Sequence, residues 1–214
     1  MITAELPTAA ATHHERLTEA SAATAAARAP IDAHAELAAR VSELKLQAAG
    51  GDLTDEGAVE LLQLSERHRL GEVTATRRLR ALDDALAAEV KVALSVLADL
   101  AAKVAVLVAD AGTAADALSG VLVDAAAQAV RGDTSAGHER DTGRCMVEQF
   151  FPAVWPASVL ADKIRTASNT SWGTGHVATE AALIVQSFDS NAKAIRDGID
   201  GLRAVHRVAA KNFG

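Results

Sequence analysis

Apolar residues recur at steps of three and four from Leu79 to Ala111, through Leu82, Leu86, Val90, Ala93, Leu97, Leu100, Val104 and Leu107. That spacing keeps one face apolar through many turns and predicts a helix with a packing seam. Between Val90 and Ala111 the polar residues Lys91, Ser95, Asp99, Lys103 and Asp110 fall within about a third of the circumference at about 100° per residue. The rest of that surface is apolar, so the segment is expected to be buried on more than one side, as the central member of a bundle or oligomer would be. Val90–Ala109 is long enough to cross a bilayer. The ionised Lys91, Asp99 and Lys103 inside it would each cost about 2.5–3.5 kcal/mol on insertion, so no membrane span is expected.

The same reading extends along the chain. Residues 8–28 form a helix with Leu17 as its one large apolar residue, closed by Pro30. A second helix, 32–49, places Leu37, Val41, Leu44 and Ala48 on one face and stops at Gly50-Gly51. Thr54, followed by Asp55 and Glu56, is an N-cap for the long helix, which runs through Leu61, Leu62 and Leu64 towards the central heptads, with Gly71 as its weakest point. Gly112 is read as its end, and Thr113 to Asp116 as a capping-box start for a helix to Arg131 whose face is Ala115, Leu118, Leu122, Ala125 and Ala129. So short a connection requires the two to fold back antiparallel, giving a hairpin over 54–131.

The segment 133–143 is polar and Gly-rich and predicts a flexible connection. Beyond it, Cys145–Phe151 is a short apolar element stopped by Pro152, Pro156 opens a helix to about Thr166, and a last helix runs over 176–211. Its stripe is Ala181, Ile184, Phe188, Ala192, Ile195, Ile199, Leu202, His206 and Ala209. No stretch alternates with period two. The fold class is therefore all-α: an elongated helical bundle built on a long antiparallel helical hairpin with coiled-coil-like packing. Three regions follow: a helical region 1–132, the connection 133–143, and a C-terminal helical region 144–214.

Composition sharpens this picture. Half of the 214 residues are hydrophobic, yet all six aromatics lie from Phe150 onwards, so the first 149 residues must pack through Ala, Leu and Val. Such faces bury little area per residue and favour long helices and shared faces. The net charge of −7 argues against a general polyanion binder, which needs clustered Lys and Arg. The one cysteine, Cys145, excludes an internal disulfide, and the N-terminus lacks the basic-then-apolar pattern of a signal peptide. A cytoplasmic or particle-associated protein is expected.

Candidate chemistry is sparse. Gly173-Thr-Gly-His-Val-Ala178 matches the dinucleotide fingerprint formally, but the polar stretch 165–172 before it is not a strand. The adjacent His13 and His14 point about 100° apart on a helix and cannot easily share one ion, and no acidic residue stands three before any histidine. Cys145 beside Arg144, with His138 seven residues earlier, reads as a small buried hydrophobe beside Met146 and Val147 rather than a nucleophile. Neither a nucleophile elbow, a P-loop nor a zincin motif occurs. Trp172-Gly173, in a turn between two helices, resembles the Trp-x-Gly turn of small secreted helical-hairpin proteins of actinobacterial type VII secretion. The spacing is Trp-Gly-Thr-Gly, and the chain has no tyrosine for their usual export motif, so membership does not follow.

No catalytic, cofactor-binding or metal site is thus expected, and no cofactor. The functional expectation is a non-enzymatic structural protein that oligomerises through heptad helix faces within a larger complex, such as a phage virion or a secretion apparatus. Its partners would be copies of itself or other subunits of the assembly. The alternatives are a ligand-binding or enzymatic bundle and a helical regulator that uses a basic C-terminal helix on nucleic acid. That helix carries the candidate interaction residues Lys193, Arg196, Arg203, Arg207 and Lys211, which group within about 80° opposite the apolar stripe. An acidic protein surface, such as the −4 region 51–112 of a neighbouring copy, is their expected partner.

Overall fold

A computed structural model describes residues 9–130, 144, 153–169, 171 and 173–213. Four helices and no strand occur among them: α1 (Ala9–Gly50), α2 (Asp55–Val130), α3 (Val154–Ala167) and α4 (Thr174–Phe213). The all-α class is as expected. The connection 133–143, Cys145, Phe150, Phe151 and Trp172 lie outside the described residues.

The chain divides into two compact units. Glu15–Val92 forms one, and the described residues of Ala93–Gly214 form the other together with those of the first fourteen positions.

The first unit is a long antiparallel hairpin of α1 and the N-terminal part of α2. Its turn is built as the sequence specified. The Gly51 N–H donates to the Ala48 carbonyl and the Asp52 N–H to the Gln47 carbonyl, with Gly51 at φ +81°, a Schellman stop that only glycine adopts without strain. Thr54 Oγ1 then accepts from the Gly57 N–H at 3.1 Å as the N-cap of α2. From that turn outwards the pairing is antiparallel. Arg40 reaches Glu60, the His34 ring stacks on His68, Arg78 donates to the Pro30 carbonyl, and Thr24 Oγ1 donates to the Ala85 carbonyl.

Two predicted breaks are absent. Pro30 lies inside α1, and Gly112 lies inside α2. The long hairpin therefore lies at the N-terminal end of α2, and in place of two helices folded back at Gly112 there is one helix of 76 residues, Asp55–Val130. The reason is phase. Buried or half-buried positions continue at steps of three and four through Thr24, Ala27, Ile31, His34, Ala38, Val41 and Leu44, while Pro30 itself is exposed. A proline inside a helix costs about 3 kcal/mol, but a break would misplace Val41 and Leu44, each worth about 1.5–3 kcal/mol buried. Likewise Ala111, Ala114 and Leu118 extend the heptad of α2 across Gly112 without a change of step. Glycine there costs about 1 kcal/mol, less than the burial of Leu118 alone returns.

In the second unit, Ala93, Leu97, Leu100, Val104 and Leu107 are buried along one stripe of α2. They share the core with Leu160 and Ile164 of α3 and with Val177, Ile184, Phe188, Ile195, Ile199 and Leu202 of α4. Gly198 of α4 passes so close to Ala153 that an added Cβ would stand 3.1 Å from its backbone nitrogen. Among the described residues this part of α2 is buried on one side, not on more than one as expected. Ala98, Ala101, Ala102, Ala105 and Val106 remain exposed, because one seam against the neighbouring helices occupies a single face.

Two substitutions test this description. Gly112→Ala should raise stability by about 0.5–1 kcal/mol in chemical denaturation, since a Cβ there meets nothing within 4 Å and the backbone is helical. At a left-handed helix stop the same change would destabilise. Leu97→Asp should cost several kcal/mol, as it puts an unpaired charge where the wild-type side chain is fully buried. Thermal melting within about 0.5 kcal/mol of wild type would remove the central role assigned to this stripe.

Candidate interaction site

The stripe expected on α4 is the one it buries: Ala181, Ile184, Phe188, Ala192, Ile195, Ile199, Leu202 and Ala209, with His206 half-buried in line. Burying that face turns Lys193, Arg196, Arg203, Arg207 and Lys211 outwards, and all five are exposed. Their charges are not equally available. Lys193 Nζ sits 2.7 Å from Asp197, one helical turn on, and Arg203 lies 3.5 Å from Asp200. Arg196, Arg207 and Lys211 have no ion-pair partner among the described residues. Helical projection alone groups the five cations and leaves out both carboxylates, although the i, i+4 spacing of Lys193 and Asp197 and the i, i+3 spacing of Asp200 and Arg203 are readable in the sequence.

Two of the five line a cleft of about 510 Å³ between α2 and α4. Arg196 and Arg203 join Lys103 of α2 around a floor of Val106, Leu107 and Ile199, with Asp110 and Asp200 on the rim. Lys193, Arg207 and Lys211 lie outside it. The cleft thus combines an apolar lining with three cations and two carboxylates.

The seam residues of α2 divide by unit. Leu97, Leu100, Val104 and Leu107 are buried; Leu82, Leu86 and Val90 are half-buried; Leu79, 53% exposed, stands outside the seam. Leu79 falls where the hairpin is only two helices thick, so a single partner helix leaves part of its flank open. Leu61 and Leu64 turn inwards, but Leu62 does not.

A histidine pair that the sequence did not reveal lies inside the hairpin. The His34 and His68 rings stack with centroids 4.7 Å apart and planes 16° from parallel, and His68 Nδ1 is 3.8 Å from Glu72. Gly71, read in the sequence as a weak point, makes room for them: a Cβ there would land on the His34 ring. Nearby, Arg40 bonds Glu60 through two nitrogens and Glu43 through a third contact, which holds the Glu60 carboxyl below the usual carboxylate range. The folded-state value being depressed, this exposed pair contributes above the ordinary carboxylate range and loses its contribution as pH falls through the lowered value.

The remaining candidates stay apart. His13 is buried and His14 exposed on α1, and no group of three or more metal-ligating side chains occurs among the described residues. Gly173, at φ +98°, enters α4 directly after α3, where a dinucleotide fingerprint would need a strand. Arg144 reaches Asp116 at 3.6 Å. One window of α2, of mean hydropathy 2.2 and one-third buried, is long and apolar enough to cross a membrane, a property it shares with core helices of soluble bundles.

Comparison with protein-family models, curated proteins and solved structures gives no match.

Gly71→Ala should destabilise the hairpin by about 1–3 kcal/mol through overpacking against His34, opposite in sign to the usual gain of a helical Gly→Ala change. Chemical denaturation of the two proteins side by side reads the sign.

Proposed function

We propose that the protein is a non-enzymatic structural component that oligomerises through helix faces within a larger assembly, with a virion or a secretion apparatus as settings that suit it. The observation that carries this reading is apolar surface left uncovered along the 76-residue α2. Val59, Leu62, Leu70, Val73, Val106 and Leu122 are all exposed there, and the alanines beside Val106 add to that surface. Large apolar side chains grouped on long helix faces mark places where other chains bind. The basic face of α4 supports the same reading, since three of its cations have no ion-pair partner among the described residues and most of the sequence is acidic.

Light scattering over a dilution series tests the proposal directly. The expected result is a mass above that of one 22.1 kDa chain that falls on dilution. A monomer at every concentration, with melting that shifts on addition of small ligands, overturns it. Replacing Arg196, Arg203 and Arg207 together by Gln should weaken assembly at low salt and change it little at high salt, with helical content unchanged. Equal assembly of both proteins at all salt concentrations removes the α4 face from the proposal.

A further inference from the structure

We infer that the outward face of the first segment of α2 is a self-complementary interface on which a second copy of this chain docks antiparallel, with its two-fold axis at Glu66. The inference rests on the proposed assembly role and names the surface and the partner.

Four large apolar side chains stand out from this part of the hairpin: Val59 at 56%, Leu62 at 74%, Leu70 at 55% and Val73 at 77% exposure. At about 100° per residue they fall within about 80° of one another. They lie on the side of α2 opposite the half-buried Leu64, His68, Ala75 and Leu82, the side on which His68 stacks on His34 of α1. They therefore form a second stripe that the hairpin's own packing leaves uncovered.

The stripe is symmetric in sequence. Leu62 and Leu70 stand four residues either side of Glu66, and Val59 and Val73 stand seven either side. An antiparallel copy related by a two-fold axis through Glu66 sets Leu62 beside Leu70 and Val59 beside Val73, each contact occurring twice, as an isologous interface requires. Members of each pair lie on opposite flanks of the stripe, so they sit side by side in layers instead of colliding end to end.

Charge decides the orientation. Eleven residues from Glu66 on the same face stand Asp55 on one side and Arg77 on the other, both exposed and neither in an ion pair among the described residues. A parallel copy in register would place Asp55 against Asp55 and Arg77 against Arg77. The antiparallel copy pairs each Asp55 with an Arg77 at both ends. At the centre, each Glu66 carboxylate is already gripped by its own Arg69 through two bonds of 2.6 and 3.0 Å, so the carboxylates meet neutralised.

The test compares the full-length wild type with Leu62→Glu/Leu70→Glu, changes at exposed positions that leave the hairpin core intact, in sedimentation over a dilution series. The double variant should weaken self-association at least about a hundredfold, since it sets like charges side by side in two layers. Asp55→Arg and Arg77→Asp should each weaken it about tenfold, because the two-fold axis counts every change twice, and combining them should restore it. Circular dichroism checks that helical content is retained, which matters for Asp55 at the start of the helix. A wild type that assembles and an equally assembled Leu62→Glu/Leu70→Glu variant overturn this interface while leaving the assembly role standing. A wild type that stays monomeric overturns both. Loss on either single charge reversal without recovery in the combination overturns the antiparallel register.

Discussion

Everything regular in this protein depends on keeping apolar residues in phase along helices whose packing residues are small. Across the first 149 positions no aromatic side chain is available to anchor a core. Burial must come from many modest contributions by Ala, Val and Leu, about 0.8 kcal/mol per methylene, and these add only while the stripe stays on one face. A helix that lost step after six turns would expose everything beyond. Length and phase thus do here what a few large side chains do in a compact core, and they explain why two helices reach 42 and 76 residues.

That constraint also explains where the sequence was legible and where it misled. The stripes of α2 and α4 were readable residue by residue, because a three-four repeat has little meaning outside a helix. The Gly50-Gly51 stop and the Thr54 cap were readable too, since glycine in the left-handed region and a hydroxyl three residues before an orphan N–H are local devices. Pro30 and Gly112 look like the same kind of punctuation and are not. What separates them from true stops is the phase on either side: Ala27 to Ile31 and Ala111 to Ala114 keep step, whereas the α1 stripe ends at Leu44, before Gly50. A breaker on the exposed side of a stripe is a tolerated cost; a breaker after the stripe has ended is a boundary.

The candidate sites were less legible, for a different reason. Grouping of the five α4 cations follows from helical projection, so their exposure could be foreseen. Which of them keep their charge available depends on Asp197 and Asp200, and which line the cleft depends on Lys103, a residue nearly a hundred positions away. The His34–His68 stack likewise joins two helices, and only the register of the hairpin brings the rings together. Gly71 was visible but ambiguous, because the ring it accommodates lies on the other helix. Leu61, Leu62 and Leu64 read together as apolar residues leading to the central heptads, and only the structure separates the half-buried Leu61 and Leu64 from the exposed Leu62.

Those two faces differ in spacing, and the difference bears on what each can hold. The inner stripe of α2 from Ala93 repeats at three and four in strict alternation, close to 3.5 residues per turn, the period that keeps one seam against a neighbouring helix. The outer positions Asp55, Val59, Leu62, Glu66, Leu70, Val73 and Arg77 run four, three, four, four, three, four, an eleven-residue spacing near 3.67 per turn, which favours a slight right-handed winding instead of the left-handed one of a heptad seam. The same order reads identically from either end, and the charges at its ends are opposite. Asp55 and Glu56 at the start of α2 already favour the helix by opposing its dipole. In the antiparallel pairing, Asp55 serves a second purpose, because a partner helix running the other way brings its Arg77 to that end, and the charge that helps begin the helix is also the one that orients its neighbour.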